Sequence, residues 1–220
     1  MADERTYGDG CAIAHGLDLV GERWGLLVVR ELLLGPKRFT DLRRGLPNAS
    51  PNVISGRLRE LERAGVVRRD KRPPPASARV YELTEWGREL EGIVMSLGRW
   101  AARSPSQPRG APIGADSIAL ALRARFDSHA AKRLRATHEL RLGEDRFRIA
   151  VSDGAIEVAR GSTDRPDATI DTDADTLAAV LWDGRSLTDA QRAGQVRIEG
   201  DRAAVERLVR LFPVPEPAVR

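Results

Sequence analysis

The chain has 220 residues, with 36 Lys and Arg against 32 Asp and Glu, a formal net charge of +4. That length suits one or two domains, and a hydrophobic share of 41% beside 31% charged residues is too apolar for a wholly disordered chain. A single cysteine excludes an intrachain disulfide, and with it a disulfide-stapled secreted domain. The charged start (Asp3, Glu4, Arg5, Asp9) is unlike an export signal, and runs such as Leu26–Val29 fall far short of the ~20 apolar residues of a membrane helix, so a cytoplasmic location with no membrane partner is expected.

In chain order, Ile13–Val20 and Trp24–Leu34 read as helices, the second stopped by Gly35-Pro36. Phe39–Arg44 reads as a short helix. Ser50-Pro51 is a helix start, with Ser as N-cap and Pro at the first helical position, and Gly65 closes that helix after about Ala64. Ile54, Leu58 and Leu61 mark its buried stripe. At ~100° per residue, Asn52, Ser55, Gly56, Arg59 and Arg63 fall on the outward face. Small and amide side chains allow close approach to base edges there, and arginine reaches guanine or phosphate. Val66–Arg69 and Arg79–Leu83 alternate as two strands. The loop between them carries Pro73-Pro74-Pro75 and is expected to project. Helix–turn–helix followed by a basic two-stranded ribbon is a winged-helix layout, with the outward helix in the major groove and the tip, Lys71 and Arg72, on backbone or minor groove. Thr84 caps a longer helix whose apolar positions Leu90, Ile93, Val94, Leu97, Trp100 and Ala101 form a stripe wide enough for a partner subunit.

Mapped along the chain, the charge is uneven. Residues 37–79 hold twelve Lys and Arg against four acidic residues, while the half after residue 103 is neutral. Such a basic stretch is the footprint of a phosphate-backbone binder.

Cys11, Leu17–Trp24, Leu32–Phe39, Asp41–Arg44, Ser50-Pro51, Arg57–Glu62, Ala64–Val67 and Tyr81–Thr84 together resemble the HxlR-type winged-helix regulators, bacterial cousins of the MarR type. The resemblance covers about Cys11 to Trp100. It implies a homodimeric, sequence-specific DNA-binding protein acting on a roughly palindromic double-stranded operator. It puts groove contacts on the Ser50–Arg63 helix and the wing at Lys71–Arg79. The candidate DNA contacts are Lys37, Arg38, Arg43, Arg44, Ser50, Asn52, Val53, Ser55, Arg57, Arg59, Arg63, Lys71, Arg72 and Arg79. Family members often carry Pro after the N-terminal Cys, where Ala12 stands here, and some use that Cys as a redox or electrophile sensor. Cys11 is therefore a candidate redox residue. Arg5 and His15 are the nearest cations in sequence, Asp9 opposes them, and a small packed residue is the blander alternative.

Residues 103–114 contain three prolines and two glycines and read as a linker, which divides the chain into 1–102, the linker, and 115–220. Beyond it, Ser117–Phe126 reads as a helix. Ala136–Leu142, Arg146–Val151, Ala155–Arg160 and Ala168–Asp171 read as strands. Asp175–Asp183, Thr188–Ala193 and Asp201–Phe212 read as helices around a short strand at Val196–Ile198. The expected unit is α+β, with a four- or five-stranded sheet, so the whole chain is α+β. Asp167–Asp173, Leu177–Trp182, Leu187–Gln191 and Val196–Asp201 resemble the sterol carrier protein domain. That resemblance implies a hydrophobic tunnel for an apolar small-molecule effector, with Phe126, Phe147, Ile149, Leu177, Val180, Leu181, Trp182, Leu208, Leu211 and Phe212 as candidate lining residues.

Catalysis finds no organised set: His15, His129 and His138 are scattered, and no Gly-rich phosphate loop occurs. Asp171-x-Asp173-x-Asp175 has the alternation of a calcium loop, but Thr176 stands where Gly is required and Trp182 where Glu is required, so an acidic helix start is the better reading. No cofactor, metal or enzymatic activity is expected. The reading is a transcriptional regulator, a repressor by type, whose second half senses a hydrophobic small molecule. The alternatives are a redox-responsive regulator acting through Cys11, with a second half that only dimerises, and a lipid carrier.

Overall fold

The structure, a computed structural model, describes residues 6–71, 79–108 and 110–218. The chain divides into two compact units, Met1–Val94 and Met95–Arg220, and both combine helix and sheet in an α+β arrangement. The division falls inside a helix rather than in the Pro-rich segment expected to be the linker. Residues in that segment are held: Ile113 N–H donates to Asp175 Oδ1 at 2.8 Å, and Ala218 N–H donates to Arg103 O at 2.7 Å.

In the first unit, α1 (Ala12–Val20), α2 (Gly25–Leu32), α3 (Phe39–Gly45) and α4 (Pro51–Arg63) precede a hairpin of β1 (Val67–Lys71) and β2 (Arg79–Leu83). α2 starts one residue later than the periodicity predicts because Trp24 takes a left-handed conformation, φ 78°, which no helix accommodates. α4 starts where Ser50-Pro51 predicts, with Ser50 Oγ accepting from Val53 N–H at 3.3 Å. It ends in a paired turn: Val66 N–H reaches Leu61 O, Gly65 N–H reaches Glu62 O, and Gly65 sits at φ +73°, where a side chain is strained. Ile54, Leu58 and Leu61 are buried against Val28, Val29, Leu42, Val67 and Leu83, which form the core of this unit. The hairpin register pairs Val67 with Leu83 and Lys71 with Arg79. The tri-proline loop and Arg72 lie outside the described residues.

α5 (Glu85–Ala101) begins under Thr84, whose hydroxyl accepts from Gly87 N–H at 2.9 Å and donates to Gly65 O at 2.7 Å. This ties the start of α5 to the end of α4. The approach is close: a Cβ on Gly87 would lie 2.1 Å from Val66 O.

The second unit contains α6 (Ala115–Ala124), then β3 (Arg135–Leu142), β4 (Asp145–Ser152), β5 (Ala155–Arg160) and β6 (Ala168–Thr172). α7 (Ala174–Trp182), α8 (Leu187–Arg192), β7 (Arg197–Gly200) and α9 (Arg202–Val209) complete it. The sheet order is β5-β4-β3-β6-β7, with β3 and β6 parallel and the other neighbours antiparallel. Register places His138 and Leu140 of β3 level with Ile149 and Phe147 of β4 and with Ala168 and Ile170 of β6. These residues are buried, and Ile118, Leu122, Val205 and Leu208 of the helices are buried with them. The alternate residues on the other face, Arg141, Arg148, Glu157 and Asp171, are polar, the pattern of a sheet covered on one side. Asp173 caps α7, accepting Thr176 N–H at 2.7 Å on Oδ1 and the Thr176 hydroxyl at 2.7 Å on Oδ2. That capping is the role expected of this acidic run.

Candidate functional site

α4 presents two unlike faces. Its inward face is the Ile54, Leu58 and Leu61 stripe, and Asn52, Val53, Arg59 and Arg63 are exposed, with Ser55 half-buried among them. Arg59 has no ion-pair partner among the described residues. Arg38, Arg43 and Arg44 are exposed on or beside α3, with Arg44 3.4 Å from Asp41, and Arg79 is exposed on β2. A groove between the end of α3 and the start of α4 is lined by Thr40, Arg43, Arg44, Asn48, Ser50 and Pro51. Thr40 and Asn48 carry no periodicity or charge signal in the sequence, and only the fold brings them to the groove.

Three predicted contacts are committed elsewhere. Lys37 is buried, and its Nζ lies 2.5 Å from Glu31 Oε2. Arg57 is half-buried, paired with Glu60 and 3.5 Å from Glu22. The Ser50 hydroxyl holds the helix start. In the ribbon, Arg68 pairs with Glu82 at 2.7 Å. Arg69 pairs with Glu62 at 2.7 Å and lies over the Tyr81 ring at 5.2 Å. Lys71 closes β1, and Arg72 is not among the described residues.

The apolar stripe of α5 divides. Leu90 and Val94 pack against the core of the first unit, while Ile93, Leu97 and Trp100 are exposed, Trp100 by 74%. α1 has no buried residue, and its Ile13 and Leu17 are also exposed. Cys11, the N-cap of α1, is exposed, and backbone N–H groups of Ala14 and Ile13 hold its thiol below the ordinary cysteine range.

In the second unit, Phe147, Ile149, Leu177, Val180, Leu181, Leu208, Leu211 and Phe212 are buried, and Phe126 and Trp182 are half-buried. Eight of the ten candidates are thus core residues of this unit, and two are partly exposed. His138, fully buried, has no hydrogen-bond partner on either ring nitrogen among the described residues. Desolvation pushes its pKa down. A lone histidine carries no spacing signal in the sequence.

No helix among the described residues is long and apolar enough to cross a membrane, and those residues contain no cluster of metal-ligating side chains.

Residues 19–108 match the family described as HxlR-like helix-turn-helix, and residues 116–219 match the alkyl sulfatase C-terminal family. The second description differs from the sterol carrier resemblance read from the motifs. The HTH-type transcriptional regulator YvaP of Bacillus subtilis is 41% identical over 85 residues, covering 39% of this chain and 79% of that protein. The crystal structure of a putative HTH-type transcriptional regulator, ytcD, is 35% identical, with a TM-score of 0.39, over 42% of this chain and 94% of its own. The sec-alkylsulfatase Pisa1 from Pseudomonas sp. aligns at 19% identity with a TM-score of 0.47, and this chain spans 18% of it. With four-fifths of a regulator covered at this identity, the chain belongs to the HxlR-like helix-turn-helix family of bacterial transcriptional regulators.

Proposed function

We propose that the protein is a homodimeric, ligand-responsive repressor that reads a roughly palindromic operator with α4, and whose second unit takes an apolar small-molecule effector. The observation that carries the operator reading is the division of α4. Its apolar stripe is spent on the core, leaving Asn52, Val53, Arg59 and Arg63 outward. An amide and an apolar side chain at the start of the helix suit base edges, and the arginines further along suit guanine or phosphate. Arg38, Arg43, Arg44 and Arg79 are the phosphate contacts of this reading, with Arg43 and Arg44 flanking the groove beside the first turn of α4. The exposed Ile93, Leu97 and Trp100 on α5 are the partner-facing residues, since a stripe of large apolar side chains in water favours burial.

The effector reading rests on the apolar interior around Phe147, Ile149, Leu208 and Phe212. An effector alters operator affinity only if it prefers one dimer geometry over another.

The test is operator selection from random duplexes followed by gel shift. Arg59→Glu and Arg63→Glu are expected to abolish sequence-specific binding while leaving the circular dichroism spectrum unchanged. Unchanged affinity in both variants overturns the assignment of α4.

A second reading, a redox response through Cys11, is favoured by the exposed thiol and its lowered pKa. Loss of an oxidant response in Cys11→Ser, with operator affinity retained, supports it.

A further inference from the structure

We propose that Arg125 and Trp182 form a receptor for an acidic head group, so that the effector of the second unit is an anionic amphiphile: a carboxylate, sulfate or phosphate ester on an apolar body. This rests on the effector reading above and names its ligand class.

Arg125 follows the last turn of α6 and Trp182 is the last residue of α7. The Arg125 guanidinium lies over the Trp182 ring, 4.2 Å from its centroid. The two groups have something unusual in common. Guanidinium and indole are donor-only groups, and neither has an acceptor among the described residues. The Trp182 Nε1–H is buried with no hydrogen-bond partner, and the Arg125 guanidinium makes no hydrogen bond or ion pair, among the described residues.

Other arginines of this unit have oxygen acceptors. Arg160 holds Asp116 and Asp145, Arg148 holds Glu157, Arg141 holds Glu139, Arg146 donates to the carbonyls of Gly143 and Asp145, and Arg185 donates to Gln195 Oε1. Arg125 has only the through-space field of Asp183 to set against its burial, and its pKa is lowered by desolvation. The guanidinium N–H bonds lie in its own plane, a fork that matches a planar oxygen acceptor. An oxyanion placed there satisfies an uncompensated cation and a buried orphan donor at once, a gain that a neutral head group supplies only in part.

Apolar surface adjoins the pair. Phe126 follows Arg125 directly, its ring 6.2 Å from that of Phe212, and Asp127 N–H donates to Leu211 O at 2.8 Å, joining the end of α6 to the end of α9. Of the ten apolar candidates, Phe126 and Trp182 alone are only half-buried. A charged head on Arg125 therefore has half-buried apolar side chains beside it, which favours an amphiphile over a free inorganic anion.

The test uses the full-length protein labelled with 15N-tryptophan. The chain has four tryptophans, and the Trp182 indole resonance is identified by its loss in Trp182→Phe. Dodecanoate below its micellar concentration, dodecanol and acetate are titrated separately. Dodecanoate is expected to shift the Trp182 resonance and to bind about ten-fold or more tightly than dodecanol or acetate. Arg125→Gln is expected to weaken dodecanoate about ten-fold while leaving dodecanol binding and ligand-free operator affinity unchanged. Equal binding of dodecanoate and dodecanol, indifferent to Arg125→Gln, overturns the head-group receptor and leaves the effector reading standing. Acetate binding as tightly as dodecanoate overturns the amphiphile. Binding of none of the three overturns the effector reading, and the head-group receptor with it.

Discussion

Lys37 Nζ lies 2.5 Å from Glu31 Oε2, and the Glu31 side chain is 2% exposed. The same carboxylate also accepts from Arg30, through Nη2 at 2.7 Å and Nε at 3.2 Å. Lys37 is further fixed by a backbone bridge, its N–H to Tyr81 O at 2.9 Å and the Tyr81 N–H back to its carbonyl at 2.8 Å. A lysine that opens a basic stretch in the sequence is therefore a structural bolt between α2 and the ribbon. Removing it leaves a buried carboxylate with one partner, so Lys37→Met is expected to cost about 3 kcal/mol in urea denaturation. The salt dependence of operator binding by the folded protein should not change. A salt slope reduced by about one unit would restore Lys37 to the phosphate contacts.

Arg43 and Arg59 separate two kinds of contact. Arg59→Ala is expected to cost about 1–3 kcal/mol on the selected operator and to relax preference at one base pair. Arg43→Ala should weaken all duplexes alike and lower the salt slope by about one. Arg57→Ala, already paired with Glu60, should do neither on the same scale. Quantitative gel shifts at several salt concentrations check all three.

His138 predicts a pH dependence of stability. Burial holds its imidazole neutral below the ordinary 6.5, with Asp167 opposing that shift and Arg207 aiding it. Above pH 6.5 both folded and unfolded chains carry a neutral ring and nothing is lost. As pH falls below 6.5 the unfolded chain takes up a proton that the folded one refuses, so stability drops until the lowered folded value is reached. His138→Phe should remove this part of the acid loss in denaturation curves between pH 7 and 5. Since neither ring nitrogen has a partner among the described residues, the substitution should change stability at pH 7.5 by less than about 1.5 kcal/mol.

The exposed apolar residues of α5 predict the subunit count. Ile93→Glu combined with Trp100→Glu should shift the protein from dimer to monomer in sedimentation velocity, with helix content unchanged and operator affinity lowered at least ten-fold. A variant that remains a dimer would place the partner surface elsewhere.

Local order was legible because it depends on neighbours in sequence. Ser50-Pro51 and Gly65 bounded α4, Thr84 preceded α5, and alternation marked the five strands of the second unit to within a residue or two. The apolar stripe of α4 identified its outward face by periodicity alone. Trp24 reads as helical in the sequence and is left-handed in the structure, because nothing local signals a left-handed tryptophan. Thr40 and Asn48 became visible only when α3 and α4 met to form a groove.

Charge shows the division most clearly. Counting along residues 37–79 gives a strong positive excess, and that count is a property of the sequence alone. Which of those cations face water is decided by the tertiary structure. Glu31, Glu22 and Glu82, all outside that stretch, are brought against Lys37, Arg57 and Arg68, while Arg59, Arg43 and Arg79 stay exposed. The same rule separates Arg125, which among the described residues lies on Trp182 without a paired carboxylate, from Arg160, which has two. Helix and strand follow from local backbone preference and the period of apolar residues. The partner of a charge depends on Coulomb and desolvation energies that act over a few ångströms of space, whatever the separation along the chain.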